Sequence, residues 1–125
     1  MLNFYNNTPE NGLENVEAKA QKIWINAEQP NREEKRYLLE ELKIPLAFYN
    51  DIEDIDERPR IEIENGWYLI ILRIPFKSND AKLAFNTAPL GIIFKDDVFV
   101  SLCFHKVEIL TDFVLYTKRK KIVIR

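Results

Sequence analysis

The chain has little of what most catalytic and metal chemistry requires. Its 125 residues include one cysteine, one histidine and three glycines. A lone Cys103 cannot form an internal disulfide, which excludes a disulfide-stapled scaffold and suits a reducing compartment. Its setting, "VFVSLCFH", is that of a buried strand, so an inert core thiol is expected. Zinc sites draw on several cysteines and histidines, and Cys103 with His105 makes only two. Gly12, Gly66 and Gly91 are too scattered for a phosphate-cradling loop. Neither sign of charge dominates: 18 Lys and Arg against 20 Asp and Glu leave a net charge of −2, without the basic excess of a nucleic-acid binder. Long hydrophobic runs are missing too. The longest, "WYLIIL" at 67–72, falls well short of the ~20 residues a spanning helix needs. The start "MLNFYNN" has neither the basic nor the apolar part of a secretory signal. His105 is the one candidate general base, and no recognised serine or cysteine nucleophile motif accompanies it, so the reading is "not an enzyme".

What remains is an ordinary globular composition, 46% hydrophobic and 30% charged. The length fits one domain over residues 1–125. Residues 1–5 read as a short strand, "NNTPENG" as a loop, and 22–26 as a second strand with Ile23 and Ile25 on one face and Trp24 on the other. Asn31 and Glu34 have the spacing of a helical capping box, and Leu38, Leu39 and Leu42 supply the buried stripe of the helix that follows. Pro45 opens a second short helix, "PLAFYNDI".

From Arg60 the period changes to two. Ile61 and Ile63 alternate with Glu62 and Glu64, and Asn65-Gly66 marks a tight hairpin. The second arm, 67–74, is apolar on both faces and reads as a central strand. A loop at 77–81 precedes strands at 90–95 and 98–104, joined by Asp96-Asp97. Helical spacing returns through Val107, Leu110 and Val114. The order predicts a mostly antiparallel sheet covered by helices.

The one concentration of candidate ligands is "DIEDIDERPRIEI" at 51–63, with Asp51, Glu53, Asp54, Asp56 and Glu57. It is not a calcium loop, because the sixth position is Asp56 where that loop needs glycine. The plain reading is a solvated helix end before a strand, with a weak divalent-cation site as the alternative. Arg58 is expected to pair with Glu57 or a nearby acid, and Arg73 to snorkel or meet a buried acid.

The motifs form a collinear series. It runs "WIN…P", "REEKRYLLEEL", "KIPLAFYNDI", the acid-rich turn, "ERPRIEIENGWYLIILRIPF" and "LGIIFKDDVFVSLCFHK". The series, over roughly residues 20–107, resembles the N-terminal cytoplasmic domain of the CorA family of magnesium and cobalt channels. The most specific part is Glu57-Arg58-Pro59-Arg60 in register with "WYLIILRIP".

The resemblance implies an α/β (α+β) fold, a three-layer α/β/α domain with a mixed, largely antiparallel sheet. It implies a regulatory domain of a Mg2+/Co2+ channel on the cytoplasmic face of the cell membrane. Partners would be a homo-pentamer, the adjacent subunit's stalk helix, and the membrane through two helices and a Gly-Met-Asn pore signature outside this chain. Mg2+ would be held between neighbouring domains, keeping the pore closed. Aligning "IPLAFYNDI" with the family's acidic pair places it on Asn50 and Asp51: Asp51 keeps the ligand type, and Asn50 replaces the usual glutamate with a neutral amide. The zinc-transporting branch shares the fold, and a stand-alone scaffold module is a further alternative. The resemblance brings no nucleic acid.

Overall fold

The computed structural model describes residues 1–8, 12–16, 23–77 and 85–120. Seven strands form one mixed sheet: β1 (Leu2–Thr8), β2 (Gly12–Asn15), β3 (Ile23–Glu28), β4 (Arg60–Glu64), β5 (Trp67–Lys77), β6 (Phe85–Lys95) and β7 (Val98–Cys103). Their order is β2-β1-β3-β7-β6-β5-β4. Every neighbouring pair is antiparallel except β3 and β7, which run parallel. The class is the expected α/β, with a largely antiparallel sheet.

The helices lie on both faces. α1 (Arg32–Arg36), a π-helical turn (Tyr37–Glu41) and α2 (Leu46–Glu53) cover one face. There Leu38, Phe48, Tyr49 and Ile52 pack against Ile23, Ile25, Leu69, Ile71, Ile93, Val100 and Leu102. α3 (Glu108–Lys120) crosses the other face, with Val107 and Leu110 on Leu90 and Cys103, and Val114 on Tyr5 and Leu13.

Local chemistry explains most boundaries. The capping box is present: Asn31 Oδ1 accepts from the Glu34 N–H at 2.8 Å, and Glu34 Oε1 accepts from the Asn31 N–H at 2.9 Å. Glu34 also accepts from the Leu2 N–H at 2.7 Å and pairs with the Met1 ammonium at 2.9 Å, tying β1 to the helix start. Burial pushes the Glu34 carboxyl up, but these donors and the terminal charge outweigh it and hold the group below its ordinary value. Asn65 and Gly66 both take positive φ, 52° and 81°, as the hairpin requires.

Several expectations need correction. "NNTPENG" is not a loop throughout: Asn6–Thr8 continue β1, and Gly12 opens β2. The first helix is not uniformly α. The Leu42 N–H reaches back to the Tyr37 carbonyl, and Lys43 then turns with φ 61°. The strand expected at 90–95 begins at Phe85. The expected loop at 77–81 falls mostly outside the described residues, although Lys77 itself ends β5. Strand β5 is next to the edge rather than central, and only its Trp67, Leu69 and Ile71 face is buried. Ile61 and Ile63 do not enter the core; they are 72% and 65% exposed.

Candidate functional site

The acid-rich turn sits where α2 hands the chain to the edge strand β4. Pro45 caps α2, and the buried Phe48, Tyr49 and Ile52 hold the helix on the sheet. Ile52 lies directly over Gly91 of β6, a contact that only a residue without a side chain allows. This seating leaves Asn50 exposed and Asp51 half-buried at the rim.

Arg60, the first residue of β4, gathers the acids. Its Nη2 donates to Asp51 Oδ2, its Nη1 to Glu57 Oε1, and its Nε to Glu62 Oε1 at 3.0 Å. Partial burial alone pushes the Arg60 guanidinium down. Hydrogen bonds to Glu62 and Asp51, with the charges of Asp51 and Glu57, outweigh that and raise it above its ordinary value.

A second arginine holds the turn's backbone. Arg73 Nη1 donates to the carbonyls of Ile55 at 2.8 Å and Glu57 at 2.9 Å. Its Nη2 and Nε donate to the Thr87 carbonyl at 2.7 Å and hydroxyl at 3.1 Å. Of the two alternatives expected for Arg73, snorkelling or a buried acid, the acid is not what it meets: two backbone carbonyls of the turn, with the Thr87 carbonyl and hydroxyl, take its donors. The expected Arg58 pairing also moves. Arg60 makes the ion pair with Glu57, and the Arg58 backbone N–H donates to that carboxylate at 3.3 Å. Glu57 belongs to this cluster and not to a solvated rim, whereas Asp54 and Asp56 are exposed. Arg60 was missed because its charge reads as ordinary strand polarity; the signal available was its place nine residues after Asp51, across the turn that follows α2.

The remaining candidates stand apart. Cys103 is buried, and burial pushes its thiol up. β7 ends at Cys103, so His105 lies beyond the strand, its ring stacked on Phe76 at 4.3 Å. Among the described residues no hydrogen bond or ion pair joins the His105 ring to a carboxylate. Also among the described residues, no group of three or more His, Cys, Asp or Glu could hold a metal ion, and no helix is long and apolar enough to cross a membrane.

One polar feature was not legible in the sequence. Trp24 Nε1 donates to Ser101 Oγ at 2.8 Å, and that hydroxyl donates to Asn26 Oδ1 at 2.8 Å. A cleft of about 480 Å³ opens beside it, lined by Tyr5, Asn26, Glu28 and Thr111. Glu28 Oε1 accepts from the Val107 N–H at 2.9 Å, so its carboxylate serves the approach to α3.

The CorA-like Mg2+ transporter protein family matches residues 19–123. Among solved structures, the complete CorA magnesium transporter from Methanocaldococcus jannaschii matches at TM-score 0.79 and 22% identity, over 100% of this chain and 39% of that one. The soluble domain of CorA from the same organism matches at 0.75 and 25%, over 98% of this chain and 49% of that one. The ZntB cytoplasmic domain from Vibrio parahaemolyticus matches in fold at 0.69 and 14%, over 94% and 49%. The chain thus spans between 39% and 49% of the length of these proteins. No curated protein matches significantly.

Proposed function

The chain belongs to the CorA-like Mg2+ transporter family, and from that premise we propose that it is the cytoplasmic regulatory domain of a divalent cation channel, for Mg2+ or Co2+, with no catalysis of its own. The observation that carries the reading is the family match over residues 19–123, a range that includes α2, the acid-rich turn and the hairpin. In this reading several copies, a pentamer, assemble on the cytoplasmic face of the membrane. The pore lies in residues outside this chain, and each domain faces the adjacent subunit's stalk helix.

The proposed regulatory ion is Mg2+ between subunits. Mg2+ takes oxygen ligands in octahedral geometry, keeps several waters, and is often held by one or two carboxylates. Asp51 and Asn50 present a carboxylate and an amide oxygen at adjacent positions near the end of α2, so the donor type fits. The donor set within the described residues is incomplete, and the rest would come from the neighbouring subunit. Asp51 is also already paired, so any cation competes with the Arg60 guanidinium. That competition keeps affinity low, as a sensor of millimolar ion requires. Carboxylates left facing each other without an ion repel by about 1 kcal/mol per close pair in water. Occupancy would therefore bias an interface between two arrangements.

The test uses the polypeptide that includes the residues beyond 125. Millimolar Mg2+ should protect the wild type from protease, and Asp51→Ala should lose that protection. Equal protection removes Asp51 as a ligand. A gene whose following sequence lacks a pair of hydrophobic segments with Gly-Met-Asn, or a close variant, removes the channel reading. Fold likeness to a ZntB domain supports a zinc-transporting member as the second reading. Uptake of Zn2+ in place of Mg2+ by the intact protein would select it.

A further inference from the structure

Strand β4 closes one end of the sheet, and its outer edge is open. The two-residue turn makes Glu64 and Trp67 a hydrogen-bonded pair, and the alternation repeats at Glu62 and Arg60. The N–H and C=O groups of Ile61 and Ile63 therefore point away from β5. Among the described residues no other group takes them. An open row of this kind is a template for another strand. Proteins commonly blunt such edges with charge, and a row of one sign would repel a second copy. The charges along β4 are arranged the other way.

Residues 58–64 read Arg-Pro-Arg-Ile-Glu-Ile-Glu. Laid antiparallel on a second copy, with a two-fold axis at Ile61, Arg58 faces Glu64 and Arg60 faces Glu62, and both pairs recur across the axis. Every charged pair is then of opposite sign, which stabilises a ladder, whereas like charges directly opposite weaken it. Centring the axis on Glu62 or on Arg60 sets Glu62 against Glu62 or Arg60 against Arg60. The hydrogen-bonding phase agrees with the axis at Ile61. That residue meets itself as a hydrogen-bonded pair, and the Ile63 N–H reaches the carbonyl of the second copy's Pro59. Pro59, which has no N–H, is needed there only as an acceptor. Two of the charges have no other partner: Arg58 and Glu64 are exposed, and among the described residues neither side chain is paired. Arg60 spends three of its five N–H groups on Asp51, Glu57 and Glu62, so two remain for the second copy's Glu62.

We propose that β4 pairs with β4 of a second copy about this axis, continuing the sheet across two chains. The self-complementary charges select a second copy over an unrelated strand. The pairing also sets the exposed Ile61 of each chain against the other. Such a contact is isologous, whereas the contacts that close a ring of five are heterologous. It therefore joins chains of two separate assemblies, and it does not depend on the cation reading at Asp51. The ladder is short, which places it among the small, transient interfaces.

Cysteine cross-linking in the intact polypeptide tests it, and Cys103 is buried and out of the way. The Cα atoms of a hydrogen-bonded antiparallel pair lie ~5.5 Å apart, within the ~4.4–6.8 Å that a disulfide spans. Ile61→Cys should therefore give a disulfide-linked dimer under mild oxidation. Ile63→Cys places its two thiols four residues apart along the ladder, ~13 Å, and should link at least ~tenfold more slowly. In the Ile61→Cys background, Arg58→Glu or Glu64→Arg alone sets like charges opposite each other and should slow linking several-fold. Mixing those two variants, one with a tag that changes its mass, should restore the rate for the mixed dimer only. Circular dichroism checks that each variant is folded. Absence of the Ile61→Cys link, equal linking by Ile63→Cys, or charge variants without effect each overturns the proposal. Absence of the link together with slow hydrogen exchange at the Ile61 and Ile63 amides overturns it in favour of a strand from elsewhere in the same chain.

Discussion

Replacing Gly91 with alanine presses a methyl group into Ile52. A Cβ built on Gly91 overlaps Ile52 Cδ1 and lies 2.6 Å from Cγ1. The obstacle cannot swing aside, because Ile52 is 1% exposed on a helix held by Phe48 and Tyr49. Overpacking of a filled core costs ~1–3 kcal/mol, and the depth of this overlap points to about 2. For a domain of this size that is roughly an 8 °C fall in Tm. Calorimetry or urea unfolding measures the loss, and a double-mutant cycle identifies its cause. Ile52→Ala alone removes buried carbons and should cost about 2–5 kcal/mol. In that background the Gly91→Ala methyl occupies vacated space, so the double variant should be more stable than Ile52→Ala. The expected coupling is at least ~1 kcal/mol, as for residues in direct contact. A Gly91→Ala Tm within error of the wild type, or additive effects in the cycle, would refute the close approach of α2 to β6. The consequence reaches the site, since α2 carries Asn50 and Asp51.

Arg60→Gln should cost less than about 1 kcal/mol in urea unfolding, because its ion pairs are partly solvated. The same change should strengthen Asp51-dependent binding of Mn2+, read by its paramagnetic broadening, and unchanged binding would remove Arg60 as a competitor. Asn31→Ala deletes the cap of α1 and should cost ~1 kcal/mol, while Asn31→Asp should keep most of it. Tyr49 gives a pH dependence: burial first, then Glu53 and Glu34, push its phenol up from 10.0 to about 12. The folded state therefore favours the neutral phenol. Its contribution is full below pH 10 and drains as pH climbs from 10 to about 12, read by absorbance at 295 nm alongside circular dichroism.

What the sequence disclosed was whatever a few neighbouring residues decide. Asn65-Gly66 needs only its own positive φ values, and Asn31 with Glu34 only one helical turn, so both were legible. Pro45 marked the start of α2 for the same reason. Strand β2 was not legible, because a four-residue strand is made by its pairing with β1. Nor was the π-helical turn, since Leu38, Leu39 and Leu42 fit a plain helix equally well. In the site, "DIEDIDERPRIEI" showed its carboxylates but not their owner. Which arginine holds Asp51 depends on how near the start of β4 comes to the end of α2, a tertiary fact. The exposed Ile61 and Ile63 show the same limit: alternation shows that a strand has two faces, not which one is covered.

The single parallel ladder between β3 and β7 has a kinetic meaning. It divides the sheet into two local units, β2-β1-β3 and β7-β6-β5-β4, each joined within itself by antiparallel neighbours. Ile25 meets Val100 only after the intervening chain has been made and looped, and closing so long a loop slows folding. The C-terminal unit can zip up hairpin by hairpin, while the N-terminal one waits for a β7 edge to join. During synthesis the first strands therefore leave the ribosome well before their template exists. Substitutions in the ladder should alter the rate at which the two units join, and those at Asn65-Gly66 the rate at which the second unit forms.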